Sequence, residues 1–123
     1  MNKHVLLFLS LCILPTTNLH ADDGAFVGDA MRGKVIFENT CAYCHKLGEE
    51  KSTVGATSLN GVGQRRSDTW LDNWVKSPSD FAKVNVEAKR MTIGDDVIII
   101  MPTLPQMQDD HKRLDVITYI KTL

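Results

Sequence analysis

The sequence has 123 residues, which is enough for one domain and too few for two. Hydrophobic residues make up 43% and charged residues 24%, as in soluble globular proteins, and the formal charge of −1 excludes the basic excess of a nucleic-acid-binding protein. Only 7% of the residues are aromatic, which is little for filling a core, so a buried apolar cofactor would supply surface that the side chains lack.

The first 21 residues have the layout of a secretory signal peptide, which predicts export to the periplasm. Lys3 gives a positive start, residues 5–14 form an apolar run, and residues 19–21 (Leu-His-Ala) predict cleavage after the alanine. The run is too short to span a bilayer, which needs about 20 apolar residues, so we predict no stable membrane insertion. Lipid attachment at Cys12 is a minor alternative, because the bulky Leu11 precedes it.

Cleavage would leave residues 22–123 as a single mature domain. Loss of Lys3 takes the formal charge from −1 to −2, and loss of Cys12 leaves only Cys41 and Cys44. An exported chain with one cysteine pair could carry a disulfide, so the spacing and neighbours of the pair have to decide its chemistry.

The mature chain begins with a helix predicted over residues 28–39. Its apolar residues fall on two adjoining stripes at helical spacing: Val27, Met31 and Val35 on one, Gly33 and Phe37 on the other. Glycine in a helix interior costs about 1 kcal/mol against alanine. Gly33 therefore indicates close approach by another element.

A polar surface loop over residues 46–57 precedes a glycine-rich stretch at residues 59–66. Glycines there allow positive φ or close contact with a flat ligand. One of Arg65 and Arg66 could bind a carboxylate group of a bound cofactor, since arginine suits bidentate binding of a carboxylate, although solvated charge is the commoner role of such residues. A second helix is predicted from a cap at Ser67 or Asp68 to Lys76. Its apolar stripe is expected in the core: Trp70, Leu71, Trp74 and Val75.

The last third of the chain predicts a short helix around Phe81, an extended segment and a final helix. Residues 97–100 are all β-branched and apolar, which alone would suggest a buried strand, but Pro102 and Pro105 argue against continuing one. We expect an extended apolar segment lying against a pocket wall. The final helix should start at Asp109 or Asp110, where acids suit the helix dipole. Its apolar positions are Leu114, Val116, Ile117, Tyr119, Ile120 and Leu123.

The pentapeptide Cys41-Ala42-Tyr43-Cys44-His45 has the attachment pattern of a c-type haem. Two thiols three positions apart can each form a thioether with a haem vinyl group, and the adjacent histidine can bind the iron. A thiol-disulfide pair is disfavoured because the motif follows a helix in a chain with almost no strand signal. A zinc site is disfavoured because His111 is the only other cysteine or histidine of the mature chain.

A haem bound by His45 also needs a sixth ligand or an open position in its place. The mature candidates are Met31, Met91, Met101, Met107 and His111. Met101 follows an apolar run and precedes a proline that restricts the backbone, so it is best suited to a rigid, dry presentation. Met107 is the next candidate. Met91 ranks lower because Arg90 precedes it in charged surroundings.

Several motifs, spread over the mature chain, occur together at spacings that are typical of one protein family. They are Gly33, Phe37, residues 41–45, residues 59–65, Met101-Pro102 and residues 116–120. In these residues the chain resembles the class I c-type cytochromes, the bacterial monohaem cytochromes c, over nearly its whole mature length. The resemblance implies an all-α cytochrome c fold with three main helices wrapped around one covalently bound haem c. It also implies that Gly33 and Phe37 meet Val116 and Tyr119 where the first and last helices cross, and that Met101 occupies the family's methionine position.

The loop before Leu59 departs from the family pattern. The family usually has Gly-Pro there, and the proline carbonyl accepts a hydrogen bond from the haem histidine. Here the residues are Gly55-Ala56-Thr57-Ser58, which leaves the Thr57 carbonyl to accept that bond. Trp70 belongs to a tryptophan pair known in bacterial members, and Trp70 and Arg65 are the candidates for contact with a haem propionate or the haem edge.

These features predict a periplasmic single-electron carrier, not an enzyme, in which Cys41 and Cys44 attach the haem and His45 and Met101 bind its iron. We predict a monomer that exchanges electrons with redox proteins whose identity the sequence does not specify. The alternative is a haem c subunit of a periplasmic oxidoreductase complex, for which large exposed apolar patches would argue. A third hypothesis is a gas-binding or peroxidatic haem protein in which Met101 is not bound.

Overall fold

The computed structural model of the protein describes residues 26–48, 52–94 and 97–123. The predicted signal peptide with Cys12 lies outside these residues. The described helices are α1 (Ala30–Thr40), α2 (Val62–Arg65), α3 (Asp68–Lys76), α4 (Pro78–Val84), α5 (Val86–Arg90) and α6 (Asp110–Ile120), with a 3₁₀ turn at Pro105–Gln108. The described ranges contain no strand, and the all-α prediction is confirmed. None of their helices has the length and apolar character needed to cross a bilayer.

Polar side chains set the starts of the main helices. The Asp29 carboxylate accepts hydrogen bonds from the backbone N–H groups of Met31 and Arg32, so α1 begins two residues later than predicted. Ser67 and Asp109 cap α3 and α6 in the same way, which confirms both predicted starts. Around Phe81 the structure has two short helices, because Asn85 ends α4 and caps α5.

Helices α1 and α6 cross at Gly33, as the resemblance implies. A Cβ atom on Gly33 would lie 2.0 Å from the Asp115 carbonyl oxygen and 2.9 Å from Tyr119 Cβ, so only glycine allows this approach. The Phe37 ring is fully buried beside Tyr119, with ring centroids 5.4 Å apart. The other α1 stripe is exposed, and Met31 on it is 82% exposed.

An ion pair joins the same two helices. Asp115 is buried and accepts hydrogen bonds from Arg32 Nε at 2.8 Å, Arg32 Nη2 at 2.9 Å and the Asp29 backbone N–H at 2.6 Å. The Arg32 guanidinium holds the pKa of the Asp115 carboxyl below its usual value, against the opposing effect of burial. The start of α1 is therefore held to the middle of α6.

A buried arginine joins α6 to α3 and to the 3₁₀ turn. Arg113 donates from Nε to Asp72 at 2.6 Å, from Nη1 to the Met107 carbonyl at 2.7 Å and from Nη2 to Asp110 at 2.6 Å. These bonds satisfy all three nitrogens of the group, as a buried charge requires. They also hold the turn that follows the segment carrying Met101.

The segment before that turn differs in part from the prediction. Residues 97–104 are irregular, and Val97 and Ile99 border a cavity, in agreement with an apolar segment against a pocket wall. However, Ile98, Ile99 and Ile100 are 70%, 51% and 47% exposed. The segment is held to the loop before α2 by a hydrogen bond from the Ile99 N–H to the Val54 carbonyl, at 3.3 Å.

Candidate functional site

The Cys41–His45 pentapeptide forms a turn directly after α1. Cys41 is the C-cap residue of the helix, and its carbonyl accepts hydrogen bonds from the N–H groups of Cys44 at 3.1 Å and His45 at 2.9 Å. The turn holds both cysteines and the histidine close together, next to the buried end of the α1–α6 crossing.

Two adjoining cavities meet at this turn. They enclose about 770 Å³ and 710 Å³ of space, counted out to their open mouths. Seven residues border both cavities: Cys41, His45, Thr57, Trp74, Met91, Met101 and Leu104. Cys44 borders the second cavity, and Arg65, Trp70 and Met107 border the first. Every predicted site residue therefore lies on the wall of this cleft.

Both cysteines have free thiols in the structure. Burial, together with the nearby Cys44, raises the pKa of the Cys41 thiol to about 11. Thiol-disulfide exchange depends on a readily formed thiolate, so this environment is opposite to that of a redox-active cysteine. The described residues also contain no cluster of three or more His, Cys, Asp and Glu side chains that could hold a metal ion.

The histidine is oriented by the backbone. His45 Nδ1 lies 3.0 Å from the Thr57 carbonyl oxygen, so this nitrogen carries the hydrogen and donates it, which leaves Nε2 as a lone-pair donor. The prediction that the Thr57 carbonyl replaces the family's proline carbonyl is confirmed. Burial lowers the pKa of His45 and outweighs the opposing effect of the Thr57 hydrogen bond, so the neutral imidazole that a metal requires is favoured.

The candidate sixth ligands have very different environments. Met31 is 82% exposed, and His111 is exposed with its ring 3.9 Å from the Phe26 ring. Met107 is fully buried in the main hydrophobic core. Met101 and Met91 are partly buried and border both cavities together with His45.

Met91 borders both cavities although its sequence neighbours predict a charged environment. Its neighbour Arg90 is exposed, but Met91 itself packs beside Trp74, Ala82 and Ala88. The three-residue spacing from Ala88 to Met91 on a short helix is the signal that could have revealed it.

Trp70 has a buried polar atom without a partner. Its indole Nε1 makes no hydrogen bond with any of the residues that the structure describes, which is rare for a buried donor, and its ring borders the first cavity. The Arg66 guanidinium lies over the ring, 4.6 Å from the centroid, and pairs with Glu87 at 3.0 Å. Arg65 borders the same cavity and donates hydrogen bonds to the Asn60 and Ser58 carbonyls, so part of its donor capacity is already used.

These features fit a haem. The cleft is mostly apolar, the turn supplies two thiols and an imidazole, and a thioether faces the same space. The unpaired Trp70 N–H is the kind of donor that a propionate carboxylate would satisfy.

Comparisons with known proteins agree with this site. The cytochrome c family model matches residues 30–123. A relative described as "Cytochrome c-553-like", from Synechocystis sp. (strain ATCC 27184 / PCC 6803 / Kazusa), is 31% identical over 100 residues, which cover 80% of this chain and 73% of the relative. No solved structure matches significantly. The chain therefore belongs to the cytochrome c family of electron-transfer proteins and carries covalently bound haem c, with Cys41 and Cys44 in positions consistent with the attachment motif.

Proposed function

We propose that this cytochrome carries single electrons between redox proteins in the periplasm. In this proposal Cys41 and Cys44 form the two thioethers, and His45 and Met101 are the axial ligands of the iron. The observation that carries it is the cleft itself, which has both thiols, the imidazole and the Met101 thioether on its walls. When bound, the haem supplies an iron centre that takes up and releases one electron.

The protein's part is to hold this centre in one geometry and away from water. The Thr57 carbonyl keeps the imidazole in one tautomer and orientation, so that His45 Nε2 is free to bind iron. The apolar walls exclude water, which raises the reduction potential by disfavouring the additional charge of the ferric state. No side chain in this scheme transforms a substrate, so the proposed protein is a carrier and not an enzyme.

The environment of each methionine supports Met101 as the sixth ligand. Met31 is too exposed, and Met107 is fully buried in the main core and borders only the first of the two cavities. Met101 is held next to Pro102, which restricts its backbone, and it borders both cavities. A thioether opposite an imidazole raises the potential and suits electron transfer.

Trp70 and Arg65 are proposed to contact the haem propionates or the haem edge. The indole N–H of Trp70, which has no partner among the described residues, supports a contact between Trp70 and a propionate. The support for Arg65 is its place on the cavity wall, because its hydrogen bonds already go to the Ser58 and Asn60 carbonyls.

A second candidate function is a haem subunit of a periplasmic oxidoreductase complex. The observation that favours it is the exposure of Ile98, Ile99 and Ile100 next to the cleft. A fixed partner would bury this apolar surface. Purification from the native host after mild extraction distinguishes the two functions. A free carrier should purify alone, whereas a subunit of a complex should purify with a second chain.

Spectroscopy of the holoprotein tests the proposed ligands. We expect a low-spin visible spectrum and the weak near-infrared methionine–iron band of the oxidised protein. In the reduced protein with ¹³C-methyl methionine, the haem ring current should shift one methyl resonance strongly upfield, and Met101→Leu should remove that resonance. If Met91→Leu removes it and Met101→Leu does not, the assignment to Met101 is wrong.

Location is tested by cell fractionation and mass measurement. We expect the haem-containing protein in the periplasmic fraction, with a mass that corresponds to residues 22–123 plus one haem. Replacement of the apolar residues 5–14 by serines should leave the chain in the cytoplasm without haem. Haem-containing cytoplasmic protein of full length would contradict the proposed export.

A further inference from the structure

Met91 borders the same space as Met101. Both side chains are partly buried, both lie on the walls of the two cavities, and both pack against the small core cluster of Trp74, Ala82 and Ala88. His45 borders these cavities as well. Two thioethers are therefore available on the cleft that holds the imidazole, whereas one is enough for a six-coordinate iron.

The two methionines are supported in different ways. Met91 is the C-cap residue of α5, and its N–H donates to the carbonyl of the fully buried Ala88 at 3.1 Å. Met101 lies in irregular structure. Of the described backbone hydrogen bonds, those of residues 97–103 run from Val97 to Gly94 at 3.2 Å and from Ile99 to Val54 at 3.3 Å. A segment with few hydrogen bonds and exposed side chains opens at a lower free energy than a packed helix end.

We propose that Met91 is a reserve axial ligand, whose sulfur binds the haem iron when the Met101 sulfur leaves it. This inference rests on the proposed function, because it requires an iron held by His45. The exchange breaks one sulfur–iron bond and forms another, and it transfers no electron or proton. The three rotatable bonds of the Met91 side chain let its sulfur move while its backbone stays on α5. The site thereby keeps a thioether ligand instead of an open position that would bind small gases.

The experiment compares haem-containing single and double variants. Leucine is the replacement, because the Met-to-Leu exchange preserves apolar volume. We expect Met101→Leu to lose the original upfield methyl resonance, to gain a new one at a different shift and to keep a methionine–iron band. We expect the double variant Met91→Leu/Met101→Leu to lose both signals and to bind carbon monoxide in the reduced state. The matched control is Met31→Leu/Met101→Leu, which removes an exposed methionine and should behave like Met101→Leu.

The outcomes separate this inference from the proposed function. If the wild type has the methionine–iron band and Met101→Leu lacks it, Met91 is not a reserve ligand and the His45/Met101 pair stands. If the new signals of Met101→Leu persist in the double variant, another group supplies the ligand, and the inference is equally wrong. If the wild type itself lacks the band, the proposed ligand pair fails. Should Met101→Leu incorporate too little haem, Met101→Ala gives the same readouts with a smaller side chain.

Discussion

At the scale of single residues, two N–H groups of the site have opposite hydrogen-bonding states: the imidazole N–H of His45 has one acceptor, and the indole N–H of Trp70 has none among the described residues. The Thr57 carbonyl accepts a single hydrogen bond of 3.0 Å from the His45 imidazole, where the family usually has a proline carbonyl. The Trp70 N–H is the opposite case, because it is buried without a partner. A buried donor of this kind destabilises the protein unless a ligand satisfies it.

The change in the free energy of unfolding caused by Trp70→Phe tests whether the Trp70 N–H has a partner in the holoprotein. If it donates to a haem carboxylate, Trp70→Phe should lower the free energy of unfolding by about 1–2 kcal/mol beyond the loss of ring area. Urea denaturation of the holoproteins measures this difference. Trp74→Phe is the control, because it trims a ring of the same stack, 5.6 Å away between centroids. A Trp70→Phe variant at least as stable as the wild type would contradict the assignment.

At the scale of elements, the crossing of α1 and α6 positions the haem-attachment turn. Cys41 caps the C-terminal end of α1. The close packing of Gly33 and Phe37 against α6 therefore determines where the turn of residues 41–45 lies. The Arg32–Asp115 pair holds the other end of the same contact.

Gly33→Ala should separate these helices. Helix propensity alone would favour alanine by about 1 kcal/mol. The new Cβ would lie 2.0 Å from the Asp115 carbonyl oxygen, and overpacking against backbone should outweigh that gain, for a net loss of about 2 kcal/mol. Thermal unfolding of the holoprotein measures it. Lys34→Ala on the exposed side of α1 is the control and should change stability by less than about 0.5 kcal/mol, because its pair with Glu38 is exposed.

The Asp115 carboxylate should make the α1–α6 contact sensitive to acid. Its pKa is lower in the folded protein than in the unfolded chain, so its contribution is complete above the unfolded pKa of about 3.9. The contribution is lost as the pH falls through the lower folded pKa. Urea denaturation should therefore give Asp115→Asn a deficit of about 1–2 kcal/mol at neutral pH that shrinks below about pH 4. A deficit independent of pH would contradict the role of the charge, and Asp80→Asn, in an exposed pair, is the control.

At the scale of the whole molecule, a haem bound in the cleft would be part of the core. Residues of both core clusters line the cleft: Phe37, Val116 and Ile120 from the main cluster and Trp74 from the smaller one. Without a group in this space, the apolar walls would face water. The low aromatic content of the sequence also indicates that the core needs the haem, because the haem would supply much of the flat apolar surface that aromatic side chains supply in other proteins.

Loss of haem attachment should therefore unfold much of the protein. We expect Cys41→Ser/Cys44→Ser to show weaker helical circular dichroism and no cooperative thermal transition. The apolar walls of the empty cleft would face water, and the apolar surface that the haem covers would no longer stabilise the folded chain. Tyr43→Ser is the control within the same motif, because that side chain is 77% exposed. A haem-free double variant with full helical signal and a sharp transition would contradict this view.

The sequence was sufficient for the parts of the molecule that local chemistry determines. The caps at Ser67 and Asp109 predicted the starts of α3 and α6, and Gly33 predicted a close helix contact. Contacts between distant residues outside the characteristic family positions were not predictable. Arg32 and Asp115 are 83 positions apart, and the burial of Arg113 depends on partners from another helix and a turn.

The exposure of residues 98–100 and the surroundings of Met91 also depend on parts of the chain that are distant in sequence. Exposed isoleucines at residues 98–100 follow from the path of an irregular segment, which a run of β-branched residues does not specify. The position of Met91 follows from α4 and α5 folding back beside Trp74, and this depends on the turn at Asn85.

The buried thiol of Cys41 has a consequence for the maturation of the protein. The thiolate is the reactive form of a cysteine, and in the folded chain burial raises the pKa of this thiol to about 11, so almost none is ionised at neutral pH. In an unfolded chain the same thiol has an ordinary pKa near 8.5. A chain that folded first would therefore present a less reactive Cys41 thiol than an unfolded chain does, and we expect thioether formation to be faster before α1 packs against α6.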